Sequence, residues 1–397
     1  MRALREPARQ VRPRAANRAA MRALLLSLLA LLFAQPALAQ VDTDELDRRA
    51  GLLMQQLEMT GMSMAVVEDG RITFAKGYGE RLRGSNQLVT EDTVFRWASV
   101  SKGVAAAALL GLVEDGVVDA AQPVEALAPS LVLPPTDNPH TIPDLLSHRI
   151  GISRNAYDDR IEGGKPAKAT RGELSKLGYV CAPRTCHTYQ NVAYDAAAEI
   201  VEQATGLPYK AVVQRDVFGP LGMDTASVTL DGLVTSANWA APHNRFGGRH
   251  RGVKPTYYRV PAAAGVNSSV VDMARWMIGL MPGTDSPVSE SVRAQMTAPA
   301  VYTRREQRFL NRRFPGLQNA HYGQGLRVYD YAGHRVVGHR GGVQGYRALI
   351  LFDPDRRAGI AVMWNSPHTR PIGLQLEFLD QLYGLPKRDW LRLNEDS

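Results

Sequence analysis

Strand–turn–strand patterns stand at both ends of this chain, and the long stretch between them reads as helix and loop. Near the start, SMAVVE and RITFAKGY flank Asp69-Gly70, a dipeptide suited to a tight hairpin turn. Near the end, RALILFDP and AGIAVMWN flank Asp355-Arg356-Arg357. From 123 to about 320 the chain is rich in loops, with helical islands near 192–205, 208–217, 270–281 and 288–296. Terminal hairpins with a helical middle fit one antiparallel sheet assembled from both ends. The expected class is therefore α+β: an antiparallel sheet flanked by helices, with a mostly helical region inserted at roughly 120–265. Further helices are expected over 42–60, 99–115 and 371–383. The stretch Arg304–Arg313 carries five arginines and reads as a solvated loop; recognition of an anionic substrate is the alternative.

The 397 residues are 45% hydrophobic and 22% charged, enough apolar side chain to exclude disorder as the main state. The formal charge of +8 suggests a nucleic-acid partner only until it is located. Residues 1–39 hold seven Arg and one Glu, so most of the excess sits there and the rest is nearly balanced. In that leader a basic segment precedes the apolar run Leu24–Ala34 and the small-residue exit Pro36-Ala37-Leu38-Ala39. This is the pattern of a secretory signal peptide cut after Ala39, with Met21 an alternative start to Met1. A membrane anchor is the competing reading, but the run is short against about 30 Å of hydrocarbon. The expected location is periplasmic or secreted, with residues 40–397 as the working domain and no stable membrane span.

Export gives the two cysteines their meaning. Cys181 and Cys186, five apart in CAPRTC, read as a local disulfide in an oxidising compartment, or as two reduced cysteines in a loop. No HExxH or CxxC occurs and the nine His are scattered, so neither a metal nor another cofactor is expected. His148, in the apolar stretch LLSHRIG, reads as a structural residue.

Three short constellations carry chemistry. Ser99-Val100-Ser101-Lys102 is the single S-x-x-K in the chain and opens the 99–115 helix. Residues three apart on a helix are neighbours, which puts the Lys102 amine beside the Ser99 hydroxyl. A serine needs a base to become nucleophilic, and a lysine serves only if its pKa is depressed. Ser101 points elsewhere. On this motif alone, an N-cap serine followed by a solvated lysine fits equally well. Tyr189-Gln190-Asn191 is the single Y-x-N. Its phenol can relay a proton and its amide can hold a carbonyl, while a buried Tyr and an Asn cap are the bland alternative. His339-Arg340-Gly341-Gly342 leads into the strand from Arg347, and its glycines let a substrate backbone approach closely.

Ser-x-x-Lys, Tyr-x-Asn and His-x-Gly in this order resemble the serine β-lactamase and penicillin-recognising family. The branch is that of class C β-lactamases, D-alanyl-D-alanine carboxypeptidases, D-aminopeptidases and related esterases. DTVFRWASVSKGV, DLLSHRIGI, FGPLGMDTASV, GVNSSVVDMARW and HYGQGLRVY are similar to family segments, so the resemblance spans roughly residues 45–385. It implies a β-lactamase/transpeptidase-like fold. It also implies roles: Ser99 as acylated nucleophile, Lys102 as its activator, Tyr189 as proton shuttle and Asn191 as substrate holder. The N–H groups of Ser99 and Gly342 would form the oxyanion hole, with His339 and Gly341 lining the substrate strand.

Two departures stand out. Efficient class C β-lactamases carry Lys-Thr-Gly where this chain has His339-Arg340-Gly341, and Arg340 is expected to face away from the cleft if His339 faces in. Gln190 is bulkier than the family's usual Ala or Ser and is expected to narrow the cleft. The absence of G-x-S-x-G argues against an α/β-hydrolase. The expectation is an exported serine hydrolase acting through an acyl-enzyme on an amide or ester, of β-lactam or D-amino-acid peptide type. A carboxylesterase of the same fold and a non-turning-over penicillin-binding sensor are the alternatives. Its partner is a small-molecule or peptide substrate.

Overall fold

Asp69 and Gly70 both take positive φ, 48° and 70°, and so close a tight hairpin between β1 (Gly61–Glu68) and β2 (Arg71–Gly79). This computed structural model describes residues 40–244 and 252–393. The signal-peptide reading falls on residues 1–39 and lies outside them. The other strands of the main sheet come from the C-terminal part: β5 (Val301–Tyr302), β6 (Gln318–Tyr322), β7 (Arg327–Tyr331), β8 (His334–Val343), β9 (Tyr346–Asp353) and β10 (Ala358–Trp364). The remaining pair, β3 (Phe95–Arg96) and β4 (Asn267–Ser268), forms a separate two-stranded ribbon. The sheet runs β2-β1-β10-β9-β8-β7-β6-β5, antiparallel throughout, so the first hairpin docks on the last strand.

Both faces of the sheet are covered, which is why its central strands are apolar runs rather than alternating ones. Side chains still alternate. Met64 and Val66 enter one core, while Ala65 and Val67 enter the other. The first core packs against α1 (Thr43–Leu53) and α7 (Leu374–Leu382). The second packs against α2 (Ser101–Glu114), α3 (Ala196–Thr205), α4 (Val270–Gly279) and α5 (Glu290–Thr297). Helix α2 is buried on nearly all sides, as its Ala- and Leu-rich sequence requires.

The structure corrects several expectations. The first helix stops at Leu53 rather than reaching 60. Ser99 lies in a 3₁₀ turn, Ala98–Val100, and the α-helix proper begins at Ser101. The C-terminal part of the loop-rich stretch contains β6, and β7 and β8 follow it. His339–Gly342 lies inside β8 rather than in a loop before β9. Arg304–Arg313 is not a loop but a helix, α6. Its Arg, Gln and Glu residues are good helix formers. Leu310 is buried, and Glu306 ties the helix to the sheet through Arg327 on β7 and Arg340 on β8. Among the described residues, no helix is long and apolar enough to cross a membrane.

Candidate active site

The turn before α2 is held in an unusual shape. Ala98 takes φ 50°, a left-handed conformation that a residue with a Cβ adopts only when its surroundings impose it. Ser101, just inside the helix, supplies part of that constraint. Its Oγ donates to the Ala98 carbonyl (2.6 Å) and accepts from the Val266 N–H (3.0 Å). Ser101 is thus fully buried and committed to structure. Ser99 is left partly exposed.

Strand β8 closes on this turn. Its ladder with β7 ends at Gly338, and beyond that point its residues stay paired only with β9. There Gly341 lies against the turn. A Cβ on Gly341 would sit 2.1 Å from the Trp97 carbonyl oxygen and 2.9 Å from the Ser99 amide nitrogen, so no side chain fits. Gly342 is exposed, and a Cβ there would meet only the flexible Arg347 side chain.

Lys102 is completely buried one helical turn after Ser99. Its Nζ donates to Asn191 Oδ1 (2.8 Å) and to the Ala263 carbonyl (2.9 Å), both neutral acceptors. It lies 4.7 Å from the centre of the Tyr189 ring. Burial lowers the Lys102 pKa, against an opposing pull from the Tyr189 hydroxyl and Asp158. Asn191 is the first residue of a one-turn helix, Asn191–Tyr194, with Gln190 at the cap position. Its Nδ2 donates to Asp158 Oδ2 (2.8 Å), so one amide joins a lysine to a carboxyl group. Burial raises the Asp158 pKa to about 6.

His339 is buried. Its Nδ1 lies 2.9 Å from the Arg340 carbonyl and its Nε2 lies 3.0 Å from the Tyr322 hydroxyl. A carbonyl only accepts, so Nδ1 carries the proton and Nε2 accepts from Tyr322. Burial, joined by the charges of Arg327 and Lys102, lowers the His339 pKa well below the usual imidazole value and keeps the ring neutral. Arg340 turns the other way and pairs with Glu306. The position where Lys-Thr-Gly enzymes carry a cation therefore holds a neutral ring.

Ser99, Lys102, Tyr189, Asn191, His339, Gly341 and Gly342 thus belong to one neighbourhood, built by the start of α2, the 189–191 segment and β8. Gln190 is buried and does not line the large cavity beside Tyr189. His148 is packed against Tyr189, 4.3 Å between ring centres, and its Nδ1 accepts from the Gln190 N–H. That backbone contact positions the tyrosine segment. Cys181 and Cys186 are disulfide-bonded, and the bond closes the loop that leads into His187 and Tyr189.

Asp158, Tyr322, Arg327 and Glu306 were not singled out from the sequence. HYGQGLRVY contains Tyr322 and Arg327, but only the family resemblance marked that stretch. Asp158 lies 33 residues from the amide it meets, and no spacing signal links them. Burial raises the Glu306 pKa, but Arg327 and Arg340 outweigh it and hold the group at about 2. Among the described residues, no group of three or more His, Cys, Asp or Glu could hold a metal ion.

The chain is similar to the unguisins hydrolase ungD of Aspergillus violaceofuscus, 27% identical over 375 residues, 84% of this chain and 63% of that protein. It is 28% identical over 243 residues to the D-alanyl-D-alanine-carboxypeptidase/endopeptidase AmpH of Escherichia coli K12, covering 59% of this chain and 61% of that one. It is 25% identical over 377 residues to a D-aminopeptidase of Brucella anthropi, covering 91% and 66%. The chain thus spans about three fifths to two thirds of the length of these curated relatives. Among solved structures, it is similar to the octameric penicillin-binding protein homologue from Pyrococcus abyssi, with a TM-score of 0.77 and 26% identity over 87% of this chain and 78% of that one. Residues 46–383 match the Beta-lactamase family model, and the chain belongs to that family.

Proposed function

We propose that this chain is a serine hydrolase that cleaves an amide or ester through an acyl-enzyme, with Ser99 as nucleophile. One observation carries the reading: Lys102, one turn after the partly exposed Ser99, is fully buried and hydrogen-bonds to neutral acceptors alone. Such a lysine gives up its proton more readily than a solvated or ion-paired one, and its neutral form is the base a serine needs. The Ser99 proton passes to Lys102, directly or through Tyr189, as Oγ bonds to the substrate carbonyl carbon. Negative charge on the carbonyl oxygen is met by the N–H groups of Ser99 and Gly342. Tyr189 returns a proton to the leaving group, and water then releases the acid and regenerates Ser99.

The neutral His339 favours D-amino-acid peptides or esters over rapid β-lactam turnover. Relatives named as a carboxypeptidase/endopeptidase and a D-aminopeptidase support the amide choice. Export through a signal peptide at residues 1–39 belongs to the same proposal. Its test is the N-terminal mass of protein made in a bacterial host, with Gln40 expected as the first residue.

The deciding experiment pairs wild type with Ser99→Ala. Each is incubated with a chromogenic ester, with D-alanyl-D-alanine peptides and with penicillin, followed by intact mass. Turnover of an ester or peptide by wild type only is the expected result. A lasting penicilloyl adduct with no turnover of any substrate would favour the sensor instead. Neither turnover nor adduct would sink the proposal.

A further inference from the structure

A cavity of about 750 Å³ opens beside Tyr189, between α6 and the loops carrying Arg154 and His187. Five arginines line it: Arg154, Arg304, Arg305, Arg308 and Arg327. It has one carboxylate, Glu306, which is already engaged by Arg327 and by Arg340. Arg154, Arg304, Arg305 and Arg308 are exposed and make no ion pair or side-chain hydrogen bond with any described residue. Four cations thus converge on one concave space with no carboxylate of the described residues in contact with them. Elsewhere, about half of the described arginines meet a carboxylate. Arg49, Arg171, Arg293 and Arg388 each meet at least one carboxylate.

Convergence of like charge is unfavourable in the free protein. Burial lowers the Arg154 pKa, and the Arg305 charge adds to that effect. An arrangement of this kind is relieved by an anion, and guanidinium forks match carboxylate and phosphate oxygens in paired hydrogen bonds. The cavity is also tied to the catalytic neighbourhood. Arg154 and Arg327 lie 5.9 and 6.0 Å from the centre of the Tyr189 ring. The exposed rings of Tyr302 and Phe309 add an apolar wall.

We propose that this cavity is a recognition subsite for a substrate portion carrying at least two negative charges, either clustered carboxylates or a phosphate, bound by Arg154, Arg305 and Arg308. The site deepens the serine-hydrolase reading by naming the substrate class. It selects a substrate whose non-reacting part is polyanionic and selects against one that presents a free ammonium there. Arg327 is left out of the subsite because Glu306 neutralises it.

The test separates binding from turnover. The triple variant Arg154→Gln/Arg305→Gln/Arg308→Gln is made in the Ser99→Ala background, with Arg335→Gln as a surface control. Calorimetry then measures inorganic pyrophosphate and tricarballylate, one probe for each anion source. At least one probe is expected to bind Ser99→Ala and the control alike, and to bind the triple variant at least tenfold more weakly. Whichever probe binds identifies the anion source, and the binding should weaken as salt is raised. Failure of both probes to bind, or binding unchanged in the triple variant, would overturn the proposal whether or not the enzyme reading stands. In the Ser99-intact protein, a p-nitrophenyl ester of a tricarboxylic acid and its neutral counterpart are then compared. The triple variant should raise KM at least tenfold for the anionic ester only, with kcat little changed. An equal effect on both esters would also overturn the proposal. Loss of turnover on both esters in wild type would count against the serine-hydrolase reading alone.

Discussion

Two of the cations buried on the helical side of this protein, Arg171 and Lys102, are treated in opposite ways. Arg171 is closed by two carboxylates, Asp195 at 2.6 Å and Glu199 at 3.0 Å, with Ser130 accepting a further hydrogen bond. Lys102 has an amide oxygen and a backbone carbonyl, and no carboxylate in contact. A buried charge held by opposite charges is fixed in its ionised form, whereas one held by dipoles alone is poised to lose its proton. Arg171 therefore holds helices together, and Lys102 keeps the poise that the proposed proton transfer requires.

Substituting each cation by an apolar residue tests this contrast most severely. Lys102→Met should lower kcat/KM by about 10³-fold or more. It should leave stability within about 1 kcal/mol, because the relief of a buried charge offsets the two acceptors left behind. Arg171→Met should do the reverse. It strands two buried carboxylates and should remove roughly 3–5 kcal/mol of stability. Near-normal kcat is expected in whatever fraction stays folded. Denaturant unfolding and ester kinetics on both variants decide the matter, and equal stability losses would erase the distinction.

The next effect concerns geometry rather than charge. Gly341→Ala should cost about 10²–10³-fold in kcat, since its Cβ forces β8 away from the Ser99 amide. Gly342→Ala should be far milder, because only the Arg347 side chain must move. Equal losses would argue that the turn, not the strand, places the oxyanion donors.

Asp158→Asn gives the smallest and most diagnostic change. The folded Asp158 pKa is raised from 3.8 to about 6, so between those values the folded state holds more protons than the unfolded one. Asp158 therefore weakens the fold as pH rises through this window, and the weakening persists above it. The variant should be more stable than wild type at pH 8, by at most about 3 kcal/mol. That gain should vanish below about pH 4. Asp158 also raises the Lys102 pKa, so removing its charge should move the acid limb of the activity profile to lower pH. An unmoved limb would show that the Asn191 bridge does not couple the two groups.

What the sequence revealed follows a physical line. Ser99 and Lys102 are three residues apart at the start of a helix, so local geometry brought them together. The two hairpins were legible because short apolar, β-type runs flank a turn dipeptide or a short polar turn. Helix α6 was not, because Leu310 is its single buried residue and the Glu306 contacts that hold it reach β7 and β8. Strand β8 was obscured by its own glycines, which have low strand propensity yet are required where the strand meets the Ser99 turn. Asp158 and Arg327 gain their roles only through partners remote in sequence, and no local pattern announces such contacts.

The press of Gly341 against the Ser99 amide also sets an order of events during synthesis. The serine and its lysine leave the ribosome long before β8 exists, and the first hairpin waits still longer for β10. A growing chain therefore carries Ser99, the proposed nucleophile, on a turn whose strand partner is absent, and domains of this size acquire long-range strand pairings late. An incomplete chain holds Ser99 and Lys102 without the strand that closes on their turn. Maturity of the proposed catalytic centre is thus a report on completion of the sheet.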